Sequence, residues 1–272
     1  MSAAYGIAMP TSRGVLNSVC YCTPAINFFN RLTTQPTAAR KTLYDTLFRA
    51  LIAAGVLTKL DVLYLFAAAD SATALTNLVQ SSYGGGIHGS VTLTADQGAQ
   101  SDGSTGYIDT GFIASSAGGQ YALNSASAGA WSLTAGATGG VGHYTFGASD
   151  GTNLTQLNIR TNTNVISSNV NDATAGTVAN STTDGFFTLS RTSSSGWDIS
   201  RNASSLATIT QSSVALPTVS IAVLARNISG TAAGFDNKQL AVFFLGAGLS
   251  STDLTNLYNA LHAYLQAVAG VA

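Results

Sequence analysis

Twelve aspartates and no glutamate carry all the acidic chemistry open to this 272-residue chain. Hydrolysis of a glycosidic bond needs two carboxyl groups at a fixed separation, which a strand supplies when they alternate on one face. Here the nearest pairs, Asp96/Asp102 and Asp102/Asp109, share neither i, i+2 nor i, i+4 spacing. The three histidines, His88, His143 and His262, have no acidic neighbour in sequence, so each reads as a core or surface residue. Cys20 and Cys22 are too close for an easy bridge and lack further metal ligands nearby, which favours two packed thiols. No nucleophile elbow, phosphate loop, dinucleotide fingerprint or Cys-x-x-Cys occurs, so the expectation is no enzyme, no cofactor and no metal. The Asp102-Gly103-Ser104 turn supplies too few oxygens for calcium and reads as a β-turn opened by aspartate.

Binding chemistry is better represented. An aromatic ring offers an apolar face to a sugar, while Asn, Asp and hydroxyls fix its polar groups. Trp131, Trp197, Tyr107 and Tyr144 sit among such residues and are the carbohydrate-binding candidates, with core packing as the competing role for both tryptophans.

The elements that would position these groups are mostly strands. Val219–Ala225 and Gln239–Leu245 are apolar runs with the look of buried strands. Ser250 and Asp253 form an N-terminal capping pair, and Leu254, Leu257, Tyr258, Leu261, Tyr264, Leu265 and Val268 then recur at helical spacing. From Val91 onward, short β-prone runs alternate with Gly, Ser, Asn and Asp turns at sandwich spacing. Residues 1–34 read as an extended arm with at most one short strand. A helix starts at Pro36, carries Leu43, Leu47, Phe48, Leu51 and Ile52 inward, and stops at Gly55. Leu60–Ala68 reads as a buried strand, either within a separate helix-strand-helix segment over 35–82 or within the main sheets. A short helix follows, capped by Asp70 or Ser71. Tyr83-Gly84-Gly85-Gly86 reads as a flexible joint, leaving 83–272 as the main domain.

Several of these stretches resemble one family. Ala225-Arg226-Asn227, the last strand, and Leu249-Ser250-Ser251-Thr252-Asp253-Leu254 through Tyr258 resemble the end of LamG-like, concanavalin A-like jelly rolls. Asp102-Gly103-Ser104 through Gly111 is similar to the family's early strand, and Phe186–Arg191 with Trp197–Asn202 to its middle strands. The resemblance covers roughly residues 90 to 265 and implies a mainly β jelly-roll sandwich with an N-terminal helical segment and a C-terminal amphipathic helix. Hydrolases of that fold typically use a Glu-x-Asp-x-Glu-like strand, which a chain without glutamate cannot supply. The longer format, with Leu43 to Leu78 included, is similar to proteins of bacteriophage virions.

That second resemblance implies a non-enzymatic virion component on the head, spike, fibre or tail, assembled in the host cytoplasm. Its expected partners are other virion proteins, further copies of itself and a host surface glycan. The alternatives are a glycan-binding host-recognition module and a polysaccharide-degrading enzyme. Composition agrees with a packed, weakly charged surface, since only 8% of residues are charged and the formal net charge is −1. The charge is unevenly placed: residues 1–60 hold six Lys/Arg against Asp45 alone, which could dock them on an acidic neighbour. No basic patch interleaved with aromatics argues for nucleic acid, and no leader or membrane-length apolar run is expected.

Overall fold

The computed structural model describes residues 20–135 and 142–271. In chain order the helices are α1 (Thr23–Phe29), α2 (Ala38–Ala53), α3 (Ser71–Ala74) and α4 (Ser251–Ala269). The strands are β1 (Leu60–Leu65), β2 (Gly86–His88), β3 (Val91–Thr94), β4 (Gly98–Ser101), β5 (Tyr107–Ile113) and β6 (Ala126–Ser132). They continue with β7 (Phe146–Ser149), β8 (Leu154–Asn158), β9 (Val165–Asp172), β10 (Gly176–Ala179), β11 (Gly185–Ser193) and β12 (Gly196–Arg201). The last are β13 (Ser204–Ile209), β14 (Ser220–Val223), β15 (Arg226–Ile228), β16 (Thr231–Ala233) and β17 (Gln239–Gly246).

Among the described residues these strands form two sheets facing one another, the expected jelly-roll sandwich. One sheet has the order β13-β12-β11-β6-β17-β4-β3, with β1 also paired to β17. The other has the order β10-β9-β8-β7-β14-β5-β2, with the β15–β16 hairpin attached through β7. Strand alternation builds the core between them: Phe187, Leu189, Phe243 and Leu245 of the first sheet meet Ile108, Phe112, Phe146 and Leu157 of the second.

The first sheet is apolar on its other side as well. Trp131, Phe186, Val242 and Phe244 point outward and are covered by α1, α2 and α4, which contribute Phe28, Phe48, Leu257 and Leu261. A strand buried on both faces loses its polar alternation, and β17 is therefore apolar almost throughout. Gly129 explains how so many rings fit: a Cβ there would lie 2.4 Å from Phe244 and 2.7 Å from the Phe187 carbonyl. This helix-backed sheet thus contrasts with the second sheet, on whose outer face no helix packs among the described residues.

The capping pair holds α4 as expected, with the Asp253 N–H donating to Ser250 Oγ and the Ser250 N–H to the Asp253 carboxylate. Several expectations are corrected. Residues 1–19 of the expected arm lie outside the described residues, and Thr23–Phe29 is a helix packed in the second core, not extended chain. α2 begins after Thr37, whose hydroxyl accepts the Arg40 N–H, and its buried stripe is Tyr44, Leu47, Phe48 and Leu51. Ile52 falls one position off that i, i+3, i+4, i+7 set and is 44% exposed.

Leu60–Leu65 belongs to the main sheet, pairing antiparallel with β17 at Tyr64↔Phe243, as the second of its two readings had it. The glycine run after Tyr83 is held by hydrogen bonds although its residues are largely exposed. Tyr64 Oη donates to the Tyr83 carbonyl at 2.6 Å, the Gly85 N–H donates to the Leu75 carbonyl at 2.8 Å, and Gly86 starts β2.

Charge separation along the sequence is partly answered inside the molecule. Arg40 pairs with Asp96 at 2.6 Å and Lys59 with Asp253 at 2.8 Å, each joining the basic beginning to the acidic remainder. Arg49 pairs with Asp45 one helical turn away.

Candidate functional site

The four aromatic candidates do not converge. Trp131 is 3% exposed beneath α4, stacked against Tyr258 at 5.3 Å and His262 at 5.8 Å. Trp197 is 1% exposed in the core between the sheets, its Nε1 donating to Ser168 Oγ and its ring covered by the Arg191 guanidinium. Both tryptophans are packed in the interior, and each also lines a hollow of the helix-backed sheet, Trp131 one of about 250 Å³ and Trp197 one of about 120 Å³. Tyr144 is half-buried, with Arg226 lying 4.2 Å above its ring. Tyr107 alone among the four borders a hollow on the open sheet.

That hollow is a groove of about 300 Å³ formed by β5, β14 and the β15–β16 hairpin, with Tyr107, Asp109, Thr218, Ser220, Asn227 and Ala232 among its walls. Its volume is at the lower end of the range for small-ligand sites. Period-two alternation places it: Ile108, Thr110 and Phe112 point inward, so Tyr107 and Asp109 share the outer face of β5. The register then sets Asp109 opposite Ala222, and Ala222 opposite Gly147, so the floor beside the carboxylate is built from small residues.

Each wall is held by its own bonds. On the edge side of β5, His88 stacks on Tyr107 with centroids 4.7 Å apart and planes 8° from parallel, while the groove lies on the β14 side. Gly111 N–H donates to Asp109 Oδ1 at 3.0 Å, fixing that carboxylate. Asn227 Nδ2 donates to the Ser220 carbonyl and hydroxyl, and Asn227 Oδ1 accepts the Gly230 N–H, which secures the hairpin.

The hairpin is clamped from behind by a polar chain. Arg226 donates to Gln156 Oε1 at 2.6 Å, Gln156 Nε2 to Asn169 Oδ1 at 2.8 Å, and Asn169 Nδ2 to the Asp172 carbonyl. Gly147 makes room for it, since a Cβ there would sit 2.8 Å from Gln156 and 3.1 Å from Arg226. Below the groove's end, Asp150 accepts the N–H and hydroxyl of Thr218 and the N–H groups of Thr152 and Asn153. Partial burial pushes the Asp150 carboxyl upward, yet these donors outweigh it and bring it down to about 2.

Every aspartate of the chain has a structural partner. Asp102 is a turn centre, accepting N–H groups from Ser104, Thr105 and Gly106, and those donors hold its carboxyl far below the usual range. Asp61 is buried and accepts from Gln120 and Tyr121, while Asp236 is paired with the equally buried Lys238 at 2.8 Å. Among the described residues no cluster of three or more His, Cys or Asp is placed to hold a metal ion, and no helix is long and apolar enough to cross a membrane.

Another hollow, of about 290 Å³, lies between α2 and α4. Its lining is mostly apolar, with Leu43, Leu47 and alanines of both helices beside Thr46, Asn256, Asn259 and Tyr264, and it contains no charged group. Sequence reading reached Tyr107 but missed Asp109, Ser220 and Asn227. The i, i+2 relation of Asp109 to Tyr107 was the available signal, whereas the hairpin's contribution depends on tertiary placement.

No protein-family model matches the chain, and no curated protein matches it. Solved structures do. Botulinum neurotoxin type C, which depends on interaction with two ganglioside molecules to enter cells, is similar over 77% of this chain and 53% of its own, at 12% identity and a TM-score of 0.55. The serotype D ligand-binding domain in complex with N-acetylneuraminic acid is similar over 76% and 52%, at 12% identity and a TM-score of 0.51. A more distant likeness, with a TM-score of 0.44 and 16% identity, is domain 4 of an extracellular arabinanase from Geobacillus stearothermophilus in complex with arabinotriose, covering 74% of this chain and 98% of that one. The chain spans about half the length of the toxin structures it matches. At these identities the likeness defines the fold, a lectin-like β-sandwich.

Proposed function

We propose that this chain is a non-enzymatic glycan-binding module and that the saccharide lies in the groove of β5, β14 and the β15–β16 hairpin. The observation that carries this reading is the meeting of an aromatic ring, a fixed carboxylate, hydroxyls and an amide around one hollow on the sheet face that no described helix covers. Sugars are bound by such mixtures of apolar and hydrogen-bonding surface. The scaffold has precedent, since the type C toxin interacts with gangliosides and the serotype D domain holds N-acetylneuraminic acid. Asp109 has no second carboxylate beside it in the groove lining, which supports binding rather than cleavage.

The setting proposed for the module is a bacteriophage virion, where it would meet other virion proteins and a host surface glycan. This rests on the resemblance in format, and the structural neighbours lend it no support. An architectural role through self-association draws on the apolar hollow between α2 and α4 and on Ile26 and Ile52, which are 42% and 44% exposed on the helix layer. Light scattering tests it: a monomer at all concentrations would count against self-association.

A glycan array tests the main reading. The wild-type chain is expected to retain a selective set of saccharides, and Ala232→Trp, which fills the groove, is expected to lose them while keeping the wild-type circular dichroism. No retention by wild-type, or unchanged retention by the variant, would refute the groove as a sugar site.

A further inference from the structure

We infer that the groove selects uncharged saccharides over their sialylated or uronic counterparts. The inference rests on the reading of this groove as a sugar site and goes beyond it to the class of sugar. Among the described residues that line the groove there is no Lys, Arg or His. Asp109 places a negative charge in the wall. Its Oδ1 takes the Gly111 N–H, and its Oδ2 has no protein donor among the described residues, which leaves a carboxylate oxygen to accept a ligand O–H.

A second carboxylate stands behind the same wall, because Asp150 holds the Thr218 hydroxyl at 3.2 Å. The nearest hairpin cation, Arg226, is turned to the other side, where Gln156 and Tyr144 engage its guanidinium. The polar inventory points the same way. Asp109 and the Thr218 oxygen accept, the Ser220 hydroxyl, whose oxygen already accepts from Asn227, is left to donate, and the Tyr107 hydroxyl can do either. A sugar hydroxyl both donates and accepts and matches that set. A ligand carboxylate only accepts, meets a like charge, and finds only the Ser220 and Tyr107 hydroxyls as side-chain donors and no cation, so binding it leaves ionic groups poorly compensated.

The test uses full-length chain and matched pairs of immobilised oligosaccharides that differ only in a terminal sialic or uronic acid. At low salt the neutral member of each bound pair is expected to bind about ten-fold more tightly, with the gap narrowing as salt screens the repulsion. Asp109→Asn keeps the acceptor for Gly111 and removes the charge. It is expected to weaken the neutral member about ten-fold, as a charge-assisted bond becomes a neutral one, and to shrink the gap between the two. Tighter binding of the acidic members, lost in Ala232→Trp, would overturn the selectivity and leave the groove as the sugar site. Binding of either class that Ala232→Trp does not touch, or no binding at all, would overturn both.

Discussion

The two sheets of this sandwich share strand chemistry but end in opposite surfaces. The helix-backed sheet buries Trp131, Phe186, Val242 and Phe244 beneath three helices, and its aromatic residues are spent on packing. The open sheet turns Tyr107, Asp109, Gln156 and Asn169 outward and uses side-chain hydrogen bonds to hold a hairpin across its face. An aromatic residue in the same β pattern is therefore core in one layer and groove wall in the other. What separates the two roles is whether an amphipathic helix has a place to dock.

Removing the helix layer's first half should have the largest effect. A chain beginning at residue 83 lacks α1, α2 and β1, and so exposes Phe244 and leaves β17 without the partner that pairs it at Tyr64↔Phe243. It is expected to show no cooperative thermal transition by circular dichroism. A cooperative transition near the wild-type midpoint would mean that the helix layer is an appendage and that the contrast between the sheets is superficial.

Paired aromatic truncations sharpen the same contrast. Trp131→Ala is expected to cost about 3–5 kcal/mol in urea unfolding, the range for large buried aromatics. Tyr107→Ala, at a half-exposed ring, is expected to cost about 1 kcal/mol while abolishing saccharide retention. Equal costs for the two would erase the distinction.

In the segment that leads into β17, Asp236 and Lys238 are each 1% exposed at the side chain, and Asp236 also accepts from Thr145. Asp236→Asn leaves a buried ammonium without its counter-ion and is expected to cost about 3–5 kcal/mol. Adding Lys238→Met should recover part of that loss. A single variant as stable as wild-type would show that the pair carries no weight.

The smallest expected effect is acid sensitivity at the Thr218 tether. Asp150 has its carboxyl lowered to about 2 in the folded chain, below its value near 3.8 when unfolded. The stabilisation is therefore complete above about pH 4 and fades as pH falls toward 2. Asp150→Asn should be less stable at neutral pH and lose less between pH 4 and 2 than wild-type. Parallel acid limbs for the two proteins would contradict the assignment.

Much of the architecture was legible because it depends on local pattern. The continuous apolar run of β17, the Ser250–Asp253 cap and the stripe of α4 each announce themselves within a few residues. Some of the shortest strands escaped, among them β2, β4 and β10, which are three or four residues long. Their extended form is imposed by neighbouring ladders rather than by β-prone composition. The two tryptophans carry both readings in sequence for a related reason: composition reports that a large ring is present, while burial depends on distant partners, α4 over Trp131 and the facing sheet over Trp197. Ser220 and Asn227 escaped because nothing in a strand or a short hairpin reveals which groove it will border.

The most direct test follows backbone amide shifts by NMR during titration with the tightest saccharide found on the array. The account predicts saturable shifts concentrated at Tyr107, Asp109, Ser220, Asn227 and Gly230, with α2 and α4 unmoved. Shifts centred on the helix layer, or spread evenly over both sheets, would contradict it.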